Sequence, residues 1–358
     1  MNRHHYGLIL AGGRGTRFWP RSRRRSAKQI LNVVGDRSLI QATVERLAPV
    51  IAPQRMWVLT NQYLRDSIVR QLPEVPRQQV LAEPIQRNTA PAIGLAAHLL
   101  HTTDPDAVMG VFPSDHVIGN PAVYRATLKA ALKAAAAGNL MVVGIQPRWP
   151  ETGYGYIEFP RDTRAGDATP QPVLRFHEKP ELAKAEEYLA AGSFYWNSGM
   201  FFWRAGVLLE QLRRHLPRTA AILEDLPAAG ARNFTATLRQ AFPLCDNISI
   251  DYAVLEKAAN VRGIAAADFG WNDVGSWNAV YELLARDGQG NVTACDSVCV
   301  DSHNNFVDAR GKMVALLGVR DLIVVDTPDA LLVAGRDRAQ QVGEIVKALE
   351  KRNREDLL

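Results

Sequence analysis

Cysteine is scarce: Cys245, Cys295 and Cys299 are the only three in 358 residues. That argues against a disulfide framework, and no second Cys or His pair accompanies Cys295 and Cys299 at zinc-ligand spacing. No apolar stretch approaches the ~20 residues needed to cross a bilayer. The amino terminus lacks the basic-then-apolar layout of a secretory leader. A cytoplasmic protein with no membrane partner is expected. Hydrolytic signatures are missing too: neither H-E-x-x-H nor G-x-S-x-G occurs, and no cysteine or histidine stands in a nucleophile context. Charge is not strongly one-sided, at +5 overall with a pI near 9.1. Much of the local excess falls between Arg14 and Lys28, which favours an anionic ligand at one place. A nucleic-acid partner would call for basic residues spread over a face or interleaved with stacking aromatics, so none is expected.

What is present begins with Leu8 to Ala11, a short apolar run that reads as a buried strand. It opens into Gly12-Gly13-Arg14-Gly15-Thr16-Arg17. Glycines let the backbone turn sharply and approach a ligand closely. Successive N–H groups form an anion-binding concavity, to which arginines add charge-assisted donors. The loop reads as a cradle for a nucleoside triphosphate. It is not a P-loop, because the Gly-Lys-Ser/Thr ending is absent, and the missing third glycine argues against a dinucleotide fingerprint.

Strand and helix patterns alternate over the first 145 residues with short connections, the signature of a parallel α/β sheet covered on both faces. Beyond them, strand-like pieces at Gly153–Phe159, Val173–Glu178 and Ser198–Trp203 are expected at the sheet edge, as a lid or floor for a second substrate. Ile250 to Lys257 reads as a helix. Asp287-Gly-Gln-Gly-Asn291 marks a boundary, giving a catalytic domain over 1–288 and a small β domain over 289–358. That tail carries closely spaced short strands and ends in a helix from Arg338 to Arg352.

Pro113-Ser114-Asp115-His116 places a carboxylate just past a buried strand, where ligands bind in open α/β sheets. A carboxylate beside phosphates implies a cation, and Mg²⁺ suits one or two carboxylates plus substrate phosphates. Asp273, in a turn bounded by glycine and tryptophan, is the best second ligand. Asn88 or Thr89 can cap the helix that follows the polar segment from Glu83. Glu178, Lys179 and Asn197 have the carboxylate, amine and amide that suit sugar hydroxyls and a sugar phosphate.

Read together, these segments resemble the mannose-1-phosphate guanylyltransferase family. The resemblance rests on Leu10–Pro20, Lys28-Gln29, Glu83–Pro91, Phe112–His116, Gly153–Ile157, Glu178–Pro180, Trp196–Met200, Ser249–Ala253 and Trp271–Trp277, all in family order. It implies an α/β Rossmann-like nucleotidyltransferase domain followed by a small left-handed β-helix-like domain. The implied reaction joins GTP and mannose 1-phosphate into GDP-mannose with release of pyrophosphate, with Mg²⁺ as cofactor. By the same resemblance, Arg14 and Lys28 serve the GTP phosphates. Ala11, Gly12, Gly13, Gly15, Thr16, Arg17, Asn88, Thr89 and Ser114 bind the nucleotide, with Glu83 a further candidate there. Gly155, Glu178, Lys179 and Asn197 bind the sugar phosphate, and Asp115 and Asp273 hold the metal. A homodimer is compatible with the resemblance. The family's proline before the lysine is Ala27 here, which is expected to loosen the loop without removing Lys28. The chain stops near where longer relatives begin an isomerase domain, so isomerase activity is not implied. The alternatives are a nucleotidyltransferase for another base or hexose 1-phosphate, and a non-catalytic sugar-nucleotide-binding subunit. Retention of Asp115, Asp273 and Lys28 argues against the latter.

Overall fold

The computed structural model describes residues 2–358. Seven strands form the body of its main sheet: β1 (His5–Ala11), β2 (Met56–Asn61), β3 (Val80–Glu83), β4 (Val108–Pro113), β5 (Leu140–Ile145), β6 (Phe194–Arg204) and β7 (Val261–Ala265). Their order is β3-β2-β1-β4-β6-β5-β7, with Gln171–Pro172 beyond β7. β3, β2, β1 and β4 run parallel, as do β5 and β7. The near-continuous apolar runs of β4 and β5 reflect burial on both faces. One core packs under the helix Thr89–Thr103, and a second under Leu39–Leu47 and Pro121–Ala136. Ser38 caps Leu39–Leu47 through a reciprocal box with Gln41.

The edge expectation for Ser198–Trp203 is corrected by β6. This strand is eleven residues long and lies between β4 and β5, antiparallel to both. The sheet is therefore mixed. Trp196, Phe202 and Trp203 are fully buried, which is why an aromatic run fills a central position. A bulge between Asn197 and Phe201, with Gly199 at φ +70°, breaks its alternation. Tyr156–Glu158 and Arg175–His177 do extend the sheet from the end of β6.

The tail coils into short parallel rungs. Val292–Thr293, Phe306–Asp308 and Leu322–Asp326 stack in one ladder, and Ser297–Val300 with Val314–Leu317 in another. Buried Asn291 and Asn305 tie successive turns, the Asn305 amide donating to Asn291 Oδ1 at 2.9 Å. The helix expected over Arg338–Arg352 is instead a 3-10 stretch, Arg336–Val342, followed by the shorter helix Gly343–Lys351 and a last 3-10 turn, Glu355–Leu357. A third core joins this tail to the glycine loop. Phe18 packs on Trp277 at 5.0 Å between ring centroids, and Trp277 stacks on Phe306 at 5.5 Å. The indole of Trp277 donates to Trp19 O, and that of Trp19 to Leu357 O.

Candidate functional site

The carboxyl ends of β1, β3 and β4 open on a cavity of about 710 Å³. The glycine loop forms one wall. Its carbonyls are consumed by side chains: Gln29 donates to Ala11 O at 2.7 Å and Gly13 O at 3.1 Å, and Thr60 to Ala11 O at 2.9 Å. Asn61 and Gln86 donate to Gly12 O, and Ser22 to Arg14 O at 2.8 Å. Among the described residues, the backbone N–H groups of Gly13, Arg14 and Gly15 have no protein acceptor. A loop with its carbonyls pinned and its N–H groups unspent is the arrangement that receives an anion. Gly15 sits at φ +60°, and a Cβ there would lie 2.7 Å from Lys28 Cβ, so a larger residue would push Lys28 away.

Lys28 is buried, and its Nζ links the two carboxylate-bearing segments. It lies 2.9 Å from Asp115 Oδ2 and donates to Asp273 O at 2.7 Å. Burial raises the pKa of Asp115, but Lys28 and His116 outweigh it and hold the carboxyl below its usual range. Asp273 Oδ1 accepts from the Tyr154 hydroxyl at 2.6 Å and from Gly275 N at 3.1 Å. Val274, beside it, is wholly buried at φ +49°, a left-handed conformation costly for a β-branched residue. The Asp273 carboxylate is thus held by a strained turn and an aromatic neighbour. Two carboxylates on one cavity, beside an anion-type cradle, form a hard oxygen donor set of the kind that divalent cations take. A separate grouping, His4 with Asp104 and Asp106, lies at the opposite end of β1 and β4, where Tyr6 and Arg204 already bond its carboxylates.

Toward β6 the wall changes character. The bulge turns Asn197 to the cavity, where its amide donates to Asp251 Oδ1 at 3.0 Å. Gly155 packs against Glu178 so closely that a Cβ would strike Glu178 Oε2. Lys179, at φ +46°, pairs with Glu178. Beside Gly12 of the glycine loop, Glu83 is buried, and its Oε1 has no hydrogen-bond partner among the described residues. Burial pushes its pKa up to about 8.

Of the residues singled out from sequence, Gly12, Gly13, Gly15, Asn88, Thr89, Ser114, Asp115, Gly155, Glu178, Lys179, Asn197 and Asp273 line this one cavity. Asn88 caps the helix Thr89–Thr103. Ala11 is buried behind the wall. Arg14, Thr16 and Arg17 lie off it, against the tail: Arg14 pairs with Glu350 at 2.8 Å, Arg17 donates to Gln340 at 2.5 Å, and Thr16 faces Gly343. Sequence reading passed over Gln86, His116, Tyr154 and Asp251, all on the wall. His116 and Tyr154 lay inside motifs whose neighbours drew the assignment. Asp251 lay inside Ser249–Ala253, a segment that carries the resemblance but whose helix-like pattern suggested no site role.

The sequence model of the family described as "Nucleotidyl transferase" matches residues 6–290, and that described as "MannoseP isomerase/GMP-like beta-helix domain" matches 296–349. The chain is 42% identical to the xanthan biosynthesis protein XanB of Xanthomonas campestris pv. campestris (strain B100), over 98% of this chain and 74% of that protein. It is 38% identical to the mannose-1-phosphate guanylyltransferase of Escherichia coli (strain K12), with the same coverage. A crystal structure described as a mannose-1-phosphate geranyltransferase from Thermus thermophilus superposes with a TM-score of 0.86. It is 36% identical and covers 97% of this chain and 99% of its own.

Proposed function

The chain belongs to the mannose-1-phosphate guanylyltransferase family of nucleotidyl transferases, and on that premise we propose that it makes GDP-mannose and pyrophosphate from GTP and mannose 1-phosphate. The observation that carries this reading is Lys28 bridging Asp115 and Asp273 at the mouth of the glycine loop.

A sugar phosphate is already an oxyanion nucleophile, so no side-chain base is needed. The chain's task is to align it with the α-phosphorus and to stabilise the charge that builds there. The loop N–H groups of Gly13, Arg14 and Gly15 receive the triphosphate. Lys28 lies nearest the α-phosphorus, exchanging part of its contact with Asp115 for phosphate oxygen. Asp115 and Asp273 hold Mg²⁺, which when bound would neutralise the phosphates and lower the barrier to in-line attack. Arg14 and Arg17 approach the phosphates from the tail side. Asn88, Thr89 and Ser114 contact the nucleoside end. The unpartnered Glu83 suits guanine, whose N1–H and N2–H₂ groups are adjacent donors; adenine offers no such pair on that edge. Gly155, Glu178, Lys179 and Asn197 hold the sugar phosphate. Among the described residues no helix is long and apolar enough to cross a membrane, and a cytoplasmic site of action is the matching proposal.

The test is pyrophosphate release from a matrix of nucleoside triphosphates and hexose 1-phosphates. Turnover is expected with GTP plus mannose 1-phosphate. Turnover with a different pair, and none with this one, would overturn the assignment.

A further inference from the structure

Asp251 opens a single π-helical turn, Asp251–Leu255, on the sugar side of the cavity. Such turns are uncommon and cluster at functional sites. Its Oδ1 accepts from the Asn197 amide at 3.0 Å. The other end of Asn197 is also committed, accepting from Gly199 N at 3.1 Å, which fixes the orientation of the amide. Among the described residues, Asp251 Oδ2 has no side-chain donor. Glu178 faces the same space and is held against Gly155 by its pair with Lys179. Burial, and then the charge of Glu178, push the pKa of Asp251 up to about 7. Two carboxylates therefore face one confined space; Lys179 pairs with Glu178, and among the described residues Asp251 makes no ion pair of its own. The arrangement is costly in the empty protein and is relieved by a ligand that brings hydrogen-bond donors.

Resting on the guanylyltransferase reading above, we propose that Asp251 binds a ring hydroxyl of the hexose 1-phosphate and sets hexose selectivity together with Glu178. A carboxylate accepts from a hydroxyl donor. The bulge of β6 and the π-turn of Asp251 place the two acceptors on one side of the sugar pocket, with the Asn197 amide between them. A phosphate would be repelled there, so its place is toward Lys179. A sugar lacking the recognised hydroxyl would cover a half-buried carboxylate and leave it unpaired, the situation in which polar sites discriminate most strongly.

The test pairs Asp251→Asn with mannose 1-phosphate analogues deoxygenated at single ring positions. Asparagine keeps the shape and can still accept from Asn197, so the change removes charge and little else. On the unaltered protein, one deoxy analogue should lose about 10- to 100-fold in kcat/KM, the scale of one hydrogen bond to a charged group. On Asp251→Asn, mannose 1-phosphate should lose a similar factor, the same analogue should lose nothing further, and KM for GTP should stay within about 3-fold. Asp251→Ser, smaller and neutral, repeats the comparison should the amide variant fold poorly. If every deoxy analogue is discriminated as strongly by the variants as by the unaltered protein, the proposal is overturned while the guanylyltransferase reading stands. An unaltered protein inert toward mannose 1-phosphate and GTP overturns both.

Discussion

Arg14 and Glu350, 336 positions apart in sequence, are joined by an ion pair of 2.8 Å. It is one of a series along the basic loop. Arg17 meets Gln340, Arg21 is nearly buried against Asp308, Arg23 pairs with Asp329 and Arg24 with Glu355. The small β domain and the terminal helix thus act as a backing plate for the glycine loop and the basic run after it. The Arg14 pair is half-exposed, so its own worth is about 0–1 kcal/mol. Glu350→Gln should change thermal stability little and lower KM for GTP slightly, since it frees Arg14 from a competing anion. Arg14→Ala should cut kcat/KM for GTP at least about 10-fold, as loss of a charge-assisted phosphate contact requires. Steady-state kinetics on both variants separates the roles; a raised KM in Glu350→Gln would mean that the pair positions Arg14.

Lys28→Ala and Asp273→Asn should each reduce turnover by at least about 10²-fold, the scale of losing one transition-state charge partner. Single-turnover rates with saturating substrates are the measurement. Near-normal rates in either variant would remove that residue from the reaction.

Glu83 yields a pH prediction. Its folded pKa, about 8, lies above its ordinary value. Below pH ~4.5 the carboxyl is protonated in both folded and unfolded chains and has no effect. Between there and pH 8 the unfolded chain loses the proton first, so the empty protein loses stability as pH rises. Glu83→Gln should therefore raise the melting temperature of the empty protein at pH 8 relative to pH 5, and weaken GTP binding. Guanine donors favour the ionised carboxylate, so GTP binding near pH 7 should release a proton. Calorimetry in buffers of different ionisation enthalpy reads that proton, and no buffer dependence would count against Glu83 as the base contact.

Ala27 stands directly before Lys28. Its backbone lies at φ −73°, within the range proline fixes, and among the described residues its N–H makes no backbone hydrogen bond. Ala27→Pro should stabilise by about 0.4–1 kcal/mol through the unfolded chain, with turnover unchanged. A fall in melting temperature would show that the buried site cannot take the ring.

Much of the fold was legible because its signals are local. The alternation through β5 and the glycine loop each depend on a few neighbouring residues. The central place of β6 was not, because insertion of an antiparallel strand between β4 and β5 is a non-local pairing, and the bulge at Asn197 hides its first half. The site was legible where a motif carried it, as at Asp115, Glu178 and Asn197. Asp251 and the contacts of Arg14 and Arg17 escaped because their partners lie 54 to 336 residues away.

The central claim is attack of the sugar phosphate on the α-phosphorus of GTP. Mannose 1-phosphate carrying ¹⁸O on its non-bridging phosphate oxygens tests it, with both products read by mass spectrometry. All of the label should appear in GDP-mannose, one labelled oxygen bridging its two phosphorus atoms, and the pyrophosphate should be unlabelled. Label in released pyrophosphate or orthophosphate would contradict the account.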